Sequence, residues 1–312
     1  VFVFGIIENT QIIVTLVKIG FSPDSMNISY CALCVSDLLC ILSLPWNAIC
    51  YIPAFINSGL QFLAREVAVP TGGAFSQIFA GTTAWITAFI SLERCLCVMF
   101  PLKSKDFVRS QRTVIIILLI FIVGITPLAG IMFFTYVFVE RFDVGVSLCL
   151  NTPLADYIHR SHFMYRTVVI YSLPLVIILV CSITLAVSLK RSISWRQRQS
   201  SENPEINNSS QHRSSKDARV VKTVLSLATV YIFLGGLSSV RHFAALMWPE
   251  FRMIGDYGRW NRSATTLTFF FSLINSSVNV LIYYKTGSKF RKTVNQMVCL
   301  KYDKSQSKFC LR

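Results

Sequence analysis

Residues 91–103 read SLERCLCVMFPLK. A glutamate and an arginine, Glu93 and Arg94, close a long apolar run, and Pro101 and Leu102 follow it. The pair is either a stray surface contact or the polar end of a membrane span, and composition weighs in first. Of 312 residues 53% are hydrophobic and 14% charged, with a mean hydropathy of +0.55. A soluble domain of this size carries about 25% charged residues. The net charge of +15 invites a nucleic-acid partner. The charges, however, cluster between apolar stretches and at the tail rather than along one face, which argues against nucleic acid.

Working outward from Glu93, the chain holds seven long apolar segments, at about 1–19, 27–50, 68–99, 113–136, 165–189, 218–247 and 264–284. Most reach the roughly 20 residues that carry a helix across a bilayer core. The expected fold is an all-α membrane protein, a seven-transmembrane helix bundle. The first segment starts at Val1 without the features of a signal peptide. It is expected to be the inner half of a helix whose outer half and N-terminal tail are missing. Lysines fall on one side only, in the loops after the first, third and fifth segments and in the tail, while the other side carries arginines alone, Arg65, Arg166, Arg241 and Arg262 among them. The lysine side is therefore expected to be cytoplasmic, with the N-terminus outside, the C-terminus inside and a plasma-membrane location.

Residues 194–217, SWRQRQSSENPEINNSSQHRSSKD, are polar and lack apolar periodicity, which reads as a disordered third cytoplasmic loop. Residues 287–298, GSKFRKTVNQMV, space Phe290, Val294 and Met297 at helical intervals among basic residues. That predicts a short amphipathic eighth helix on the inner leaflet. The bundle and this helix span 1–298, and 299–312 form a cytoplasmic tail.

Polar groups inside a span are costly and mark function by default, or else they join helices by hydrogen bonds. The candidates are Glu8 and Asn9 in the first segment and Asp37 in NISYCALCVSDLL. The third segment ends in Glu93–Arg94, and the seventh carries Asn275, Ser276, Asn279 and Tyr283 in LINSSVNVLIYYKTGSKFR.

Taken together the pattern resembles the rhodopsin-like (class A) G-protein-coupled receptors. Asn9 stands at the first-helix Asn. LCVSDLL matches the second-helix L-A-x-x-D motif at Asp37, and ERC with its following PL matches D/E-R-Y. Pro174 matches the fifth-helix proline, NSSVNVLIY matches N-S-x-x-N-P-x-x-Y except at the proline, and KFR at 289–291 matches the start of the eighth helix. The departures are several. Val69 occupies the usual third-helix cysteine position and the fourth-helix Trp is absent. Gly235 replaces the sixth-helix Trp in YIFLGGL, with no proline beyond it. Val280 replaces the seventh-helix proline and Ser182 a fifth-helix Tyr. The resemblance is to a divergent member, of invertebrate peptide or chemosensory type.

The resemblance implies that Arg94 is a latch, held by Glu93 and by an acid at the base of helix six, Asp217. It gives Tyr283 and Asn279 a part in the switch. It also implies that Asp37, with Thr83, Asn275, Ser276 and Asn279, forms an oxygen-rich site suited to a Na⁺ ion, or a neutral carboxyl in a hydrogen-bonded network. The site aside, no cofactor is expected. By the same resemblance the pocket positions are Asn47, Tyr51, Ser76, Gln77, Arg166, Ser238, His242 and Phe269. Ser76 lies where amine receptors have an Asp and Leu273 where opsins have a Lys, which disfavours both chemistries. Arg166 is a candidate for bidentate carboxylate binding with His242 nearby, or equally for snorkelling to the headgroups. Cys149 pairs with an uncertain partner, Cys50 being one, or stays a free thiol. Cys299 is a palmitoylation candidate or a free cytosolic thiol, and Asn261 in NRS is an outward glycosylation sequon. His159 and His162 stand at metal-sharing spacing, though loop histidines usually hold none. The function expected is a receptor passing extracellular binding of a peptide or small chemosensory molecule to a heterotrimeric G protein. Arrestin and kinases are further partners, and no enzymatic activity is expected. The alternatives are a signalling-impaired receptor-like scaffold and a transporter or channel, for which neither repeats nor paired half-helices are seen.

Overall fold

The computed structural model describes residues 1–20, 25–59, 72–100, 109–135, 160–161, 163–202, 208–251, 256–287 and 290–296, with side chains except at 25, 126–135, 193, 195–202, 208–217 and 249. Helix α1, Phe2–Ile19, ends where Gly20 adopts φ 89° and returns its N–H to the Leu16 and Val17 carbonyls, a stop that favours glycine because positive φ crowds a Cβ. Helix α2 is Ser25–Ile49, α3 is Ala74–Met99 and α4 is Ser110–Thr135. Helix α5 opens as a wide π-type stretch, Arg166–Ser172, and continues as Leu173–Glu202. Helix α6 comprises Asn208–Leu234 and Gly236–Met247, α7 comprises Gly258–Ser276 and Asn279–Thr286, and α8 covers 290–296. No strand occurs among the described residues.

Six stretches are long and apolar enough to cross a membrane: Phe2–Ile19, Met26–Ile49, Ala74–Met99, Phe163–Ser192, Ala218–Met247 and Gly258–Thr286. Ser110–Ile125 of α4 is a shorter apolar helix. Helix α3 is the most buried of the spans and packs against α2, α4, α5 and α6. It supplies Ile86 and Ile90 to a core shared with Ile12, Leu33, Leu185 and Val224. The outward faces carry large apolar side chains instead, such as Leu118, Ile183, Phe233, Val240 and Leu281, as a bundle bathed in lipid requires. Phe290 and Val294 of α8 are buried against that core, and the Phe290 ring lies tilted against Tyr283 with centroids 5.9 Å apart.

The helices depart from the sequence reading in three places. The composition of 194–217 predicts a disordered loop, yet α5 runs on to Glu202 and α6 starts at Asn208. A helix already nucleated in a span propagates cheaply through residues such as Arg, Gln, Lys and Glu. Helix α5 widens just before Pro174, whose ring lacks an N–H for the Ile170 carbonyl. Ser172 Oγ donates to the Thr167 carbonyl there at 2.7 Å. Helix α7 breaks at Ser277–Val278 although no proline stands near. The cause lies in α1: Asn9 Nδ2 donates to the Ser276 carbonyl at 2.7 Å. That carbonyl would otherwise take the Val280 N–H in a continuous helix.

Candidate functional site

Two polar centres lie inside the bundle. The inner one is built on Asp37 of α2, fully buried. Thr83 of α3 and Ser276 of α7 donate to its Oδ1 at 2.9 and 2.8 Å, and Asn279 Nδ2 donates to Oδ2 at 2.6 Å. Three helices are thereby tied to one carboxylate. Ser36 extends the set, accepting from Thr83 Oγ1 at 3.1 Å and donating to the Phe79 carbonyl at 2.9 Å. Asn9 reaches the same level, with Nδ2 shared between the Gly5 and Ser276 carbonyls. Asn9 Oδ1, both Glu8 oxygens and Ser277 Oγ are buried without a hydrogen-bond partner.

The outer centre joins α5, α6 and α7. His242 of α6 stacks on Tyr171, centroids 4.1 Å apart and planes 22° from parallel. Its Nδ1 donates to the Ser238 carbonyl at 2.8 Å, which leaves Nε2 to accept from Arg241 Nη2 at 2.9 Å. Arg241 is only 8% exposed. Its Nη1 donates to Asn261 Oδ1 at 3.2 Å and its Nε has no partner. Arg166 Nη2 donates to Tyr171 Oη at 3.4 Å, and its guanidinium lies 5.9 Å from that ring's centroid. Two guanidiniums thus share one aromatic and imidazole platform, and among the described residues their partners, Asn261, His242 and Tyr171, are all neutral. Beside this platform a small, partly open cleft is lined by Thr83, Tyr171, Tyr231, Ser238, Asn275 and Ser276. It connects the outer centre to the edge of the Asp37 centre.

Of the residues marked from the sequence, Asp37, Thr83, Ser276 and Asn279 meet in one hydrogen-bonded cluster, and Asn275 lines the cleft beside it. Arg166, Ser238 and His242 meet in the outer centre. Asn47 and Tyr51 stand apart, at the outer end of α2: Asn47 lies against Gly72 and Tyr51 is half exposed. Ser76 is buried, and its carbonyl accepts from Cys40 Sγ at 3.4 Å. Gln77 and Phe269 are half-buried. Glu93 is buried and Arg94 half-buried, with its Nε unpartnered. Tyr283 packs on Tyr30 at 4.9 Å. Cys50 is buried against Phe55 and Ile56. The side chain of Asp217 and the whole of His159, His162, Cys149 and Cys299 lie outside the described residues.

Two expectations are corrected. Asn261 is no outward sequon: it is 2% exposed, donates from Nδ2 to the Phe251 carbonyl at 2.6 Å and accepts from Arg241 and Thr265. A glycan on that nitrogen would displace these bonds. Arg241, counted among the outer charges, points into the bundle. An arginine inside a predicted span is signal enough to find it. Tyr171 and Ser36 carry no such signal, because their role comes from neighbours far along the chain.

Comparison with known proteins agrees with this geometry. The family model "7 transmembrane receptor (rhodopsin family)" matches residues 8–283. The chain is 21% identical over 294 residues to the tachykinin-like peptides receptor 86C of Drosophila melanogaster, covering 88% of this chain but 51% of that one. It therefore spans about half the length of that relative. It is 23% identical over 306 residues to somatostatin receptor type 2 of Mus musculus and 22% over 302 residues to purinoceptor 1 of Bos taurus, covering 96% and 95% of this chain and 74% of each relative. With a match that runs from Glu8 to Tyr283 across every span, and a second-, third- and seventh-helix cluster on Asp37, this multi-pass membrane protein belongs to the rhodopsin family of seven-transmembrane receptors.

Proposed function

We propose that the chain is a plasma-membrane receptor, N-terminus outside and C-terminus in the cytosol, that binds an extracellular ligand through a carboxylate or phosphate and activates a heterotrimeric G protein. One observation carries the ligand class: among the described residues the buried Arg241 has only neutral partners and a spare Nε, with Arg166 also against Tyr171. A buried guanidinium with no anion beside it is costly, and an anionic group of the ligand offsets that cost with charge-assisted, bidentate bonds. The relatives are named for tachykinin-like peptides, somatostatin and purinergic ligands. A peptide or a small molecule carrying such a group fits the site.

Pulling on Arg241 and His242 moves the outer segment of α6, which joins the inner segment at Gly235. The inner segment is tied to α7 by Thr223 Oγ1 donating to Thr286 Oγ1 at 2.8 Å. In this reading that bond opens together with the latch of Arg94, Glu93 and Asp217, exposing the cytoplasmic face to the G protein. Tyr283 leaves Tyr30 in the same step. Such a bistable element is biased by the ligand's differential affinity for the two states. Arrestin and kinases act on the same inner face.

A hard cation at Asp37 belongs to the same proposal. The residues fit it on the Oδ1 side, where the Thr83 and Ser276 hydroxyls keep lone pairs while donating to the carboxylate, and Oδ2 is taken by Asn279 Nδ2. Asp37, Thr83 and Ser276 would hold the ion, with Asn275 at its edge, and its charge would steady the inactive packing of α2, α3 and α7.

The test is a ligand screen with a promiscuous G-protein reporter in cells. Arg94→Ala is expected to abolish the response at unchanged surface expression, and Arg166→Ala and Arg241→Ala to weaken potency. Transport current without a G-protein response, or unchanged potency in both arginine variants, overturns the reading. A silent receptor that still binds the ligand supports the scaffold alternative instead.

A further inference from the structure

We infer that Glu8 completes, with Asp37, a binding site for a divalent cation, Ca²⁺ being the ion whose coordination fits it; this rests on the reading of Asp37 as a cation ligand. Glu8 lies in the middle of α1, is 2% exposed, and neither of its oxygens has a partner. Helix geometry sets what stands around it. One turn earlier, a Cβ at Gly5 would touch Ser277 Oγ of α7 and come within 2.7 Å of Ile41 Cδ1 of α2. One turn deeper, α1 presents Glu8 and Asn9, and antiparallel α2 presents Asp37, four residues before Ile41.

The unpartnered atoms at this level are Glu8 Oε1 and Oε2, Asn9 Oδ1 and Ser277 Oγ. All are oxygens. Asn9 Nδ2, the nearest N–H donor on α1, is already committed to the Gly5 and Ser276 carbonyls. That commitment turns Oδ1 to the opposite side of the amide, away from those carbonyls. Unsatisfied acceptors buried this deeply need a donor or a cation. Among the described residues the partners of Asp37 are hydroxyls and an amide and Glu8 has none, so no basic side chain there bonds either carboxylate. A monovalent ion neutralises one of them and a divalent ion both. Ca²⁺ accepts six to eight mixed oxygens in flexible geometry, whereas Mg²⁺ demands a near-octahedral shell and keeps its waters. Carboxylates contributed by two separate helices, with unpartnered amide and hydroxyl oxygens on α1 and α7, suit the former.

The experiment uses purified receptor in uncharged detergent, stripped with EDTA, at fixed ionic strength. Thermal unfolding is followed with CaCl₂ or with NaCl, and bound calcium by equilibrium dialysis. Wild type is expected to bind Ca²⁺ stoichiometrically and to unfold roughly 3–6 °C higher with it. Glu8→Gln is expected to lose both effects while keeping its response to Na⁺, and Asp37→Asn to lose the response to both ions. If Glu8→Gln does not fold, Glu8→Asp is expected to keep Ca²⁺ binding at lower affinity. Equal Ca²⁺ binding by wild type and Glu8→Gln overturns the assignment of Glu8. So does absence of bound Ca²⁺ in wild type; a retained Na⁺ response in that case leaves the Asp37 reading standing, and absence of both responses removes the two together.

Discussion

Putting proline at Val280, inside the seventh span, should barely disturb this protein. A proline in a helix interior costs about 3 kcal/mol or more, because it deletes one N–H bond and drives its ring against the carbonyl four residues back. Here that carbonyl belongs to Ser276 and is already turned to Asn9 Nδ2 at 2.7 Å. Val280 sits in the first turn of the Asn279–Thr286 segment, where an N–H lacks an intrahelical acceptor and proline is tolerated. What remains is the restriction a proline places on the preceding Asn279, opposed by its 2.6 Å bond to Asp37. The expected cost of Val280→Pro is about 0–1 kcal/mol. Leu267→Pro is the control. It falls in the middle of Gly258–Ser276 with its side chain 51% exposed, so its expected loss of about 3 kcal/mol or more is a backbone effect. Buried thiols at Cys34, Cys40 and Cys181 allow unfolding to be followed by a thiol-reactive dye. At roughly 2–4 °C per kcal/mol, Tm should stay within about 4 °C for Val280→Pro and fall by about 6–12 °C for Leu267→Pro. In an Asn9→Ala background the Ser276 carbonyl regains the Val280 N–H, and Val280→Pro should cost at least about 1 kcal/mol more than in wild type. An equal fall in the two proline variants, or strict additivity with Asn9→Ala, would show that Asn9 is not what opens α7.

Three further outcomes are expected. Gly235→Ala places a Cβ 2.5 Å from Tyr231 Cε2, and the ring is only 4% exposed with little room to yield; a loss of about 1–3 kcal/mol is expected, partly relieved in combination with Tyr231→Ala, both read as Tm. Glycosidase treatment of receptor from eukaryotic cells should produce no mobility shift that Asn261→Gln removes, while that variant's Tm falls because Arg241 Nη1 and the Phe251 carbonyl lose their partner. Once a ligand is in hand, Arg241→Ala should weaken its potency by roughly 10–100-fold, the worth of a charge-assisted bond, and a methyl ester or other neutral analogue should bind both forms equally.

The seven spans were legible because a bilayer sets a length, and about 20 apolar residues in a row suit little else. The Asp37 cluster was legible because polar residues inside such runs are rare, and their order along the chain matched one family. The failures share a different physics. The Asn261 sequon is a three-residue signal, and nothing local reveals that Phe251 and Arg241 bury it. Arg241 groups with the outer charges in the sequence because it lies near the end of its span, although its side chain turns inward to His242 and Asn261. The break in α7 depends on a bond between Asn9 and Ser276, 267 positions apart. Local propensity is silent about all three, since each is decided by a partner that only the fold brings near.

Loss of the usual prolines and tryptophan does not leave α6 and α7 unbroken. The family resemblance places a proline at 280 and a tryptophan at 235, and their absence keeps the scaffold alternative alive. Yet α7 is interrupted at Ser277–Val278, through Asn9 rather than through a missing N–H. Helix α6 is likewise divided at Gly235, where the backbone keeps helical dihedrals, φ −77° and ψ −30°. The Tyr231 ring fills the space over that glycine, and the Gly235–Gly236 pair gives the helix a compliant point. The helix breaks the resemblance calls for are therefore built from other chemistry at the same levels of the bundle. In α7 the device is a hydrogen bond rather than a covalent ring, so its strength responds to what occupies the Asp37 centre one residue away. A cation held there by Asp37 and Glu8 would act on Asn9 and Ser276 directly, coupling ion occupancy to the bend of α7 more tightly than a proline permits.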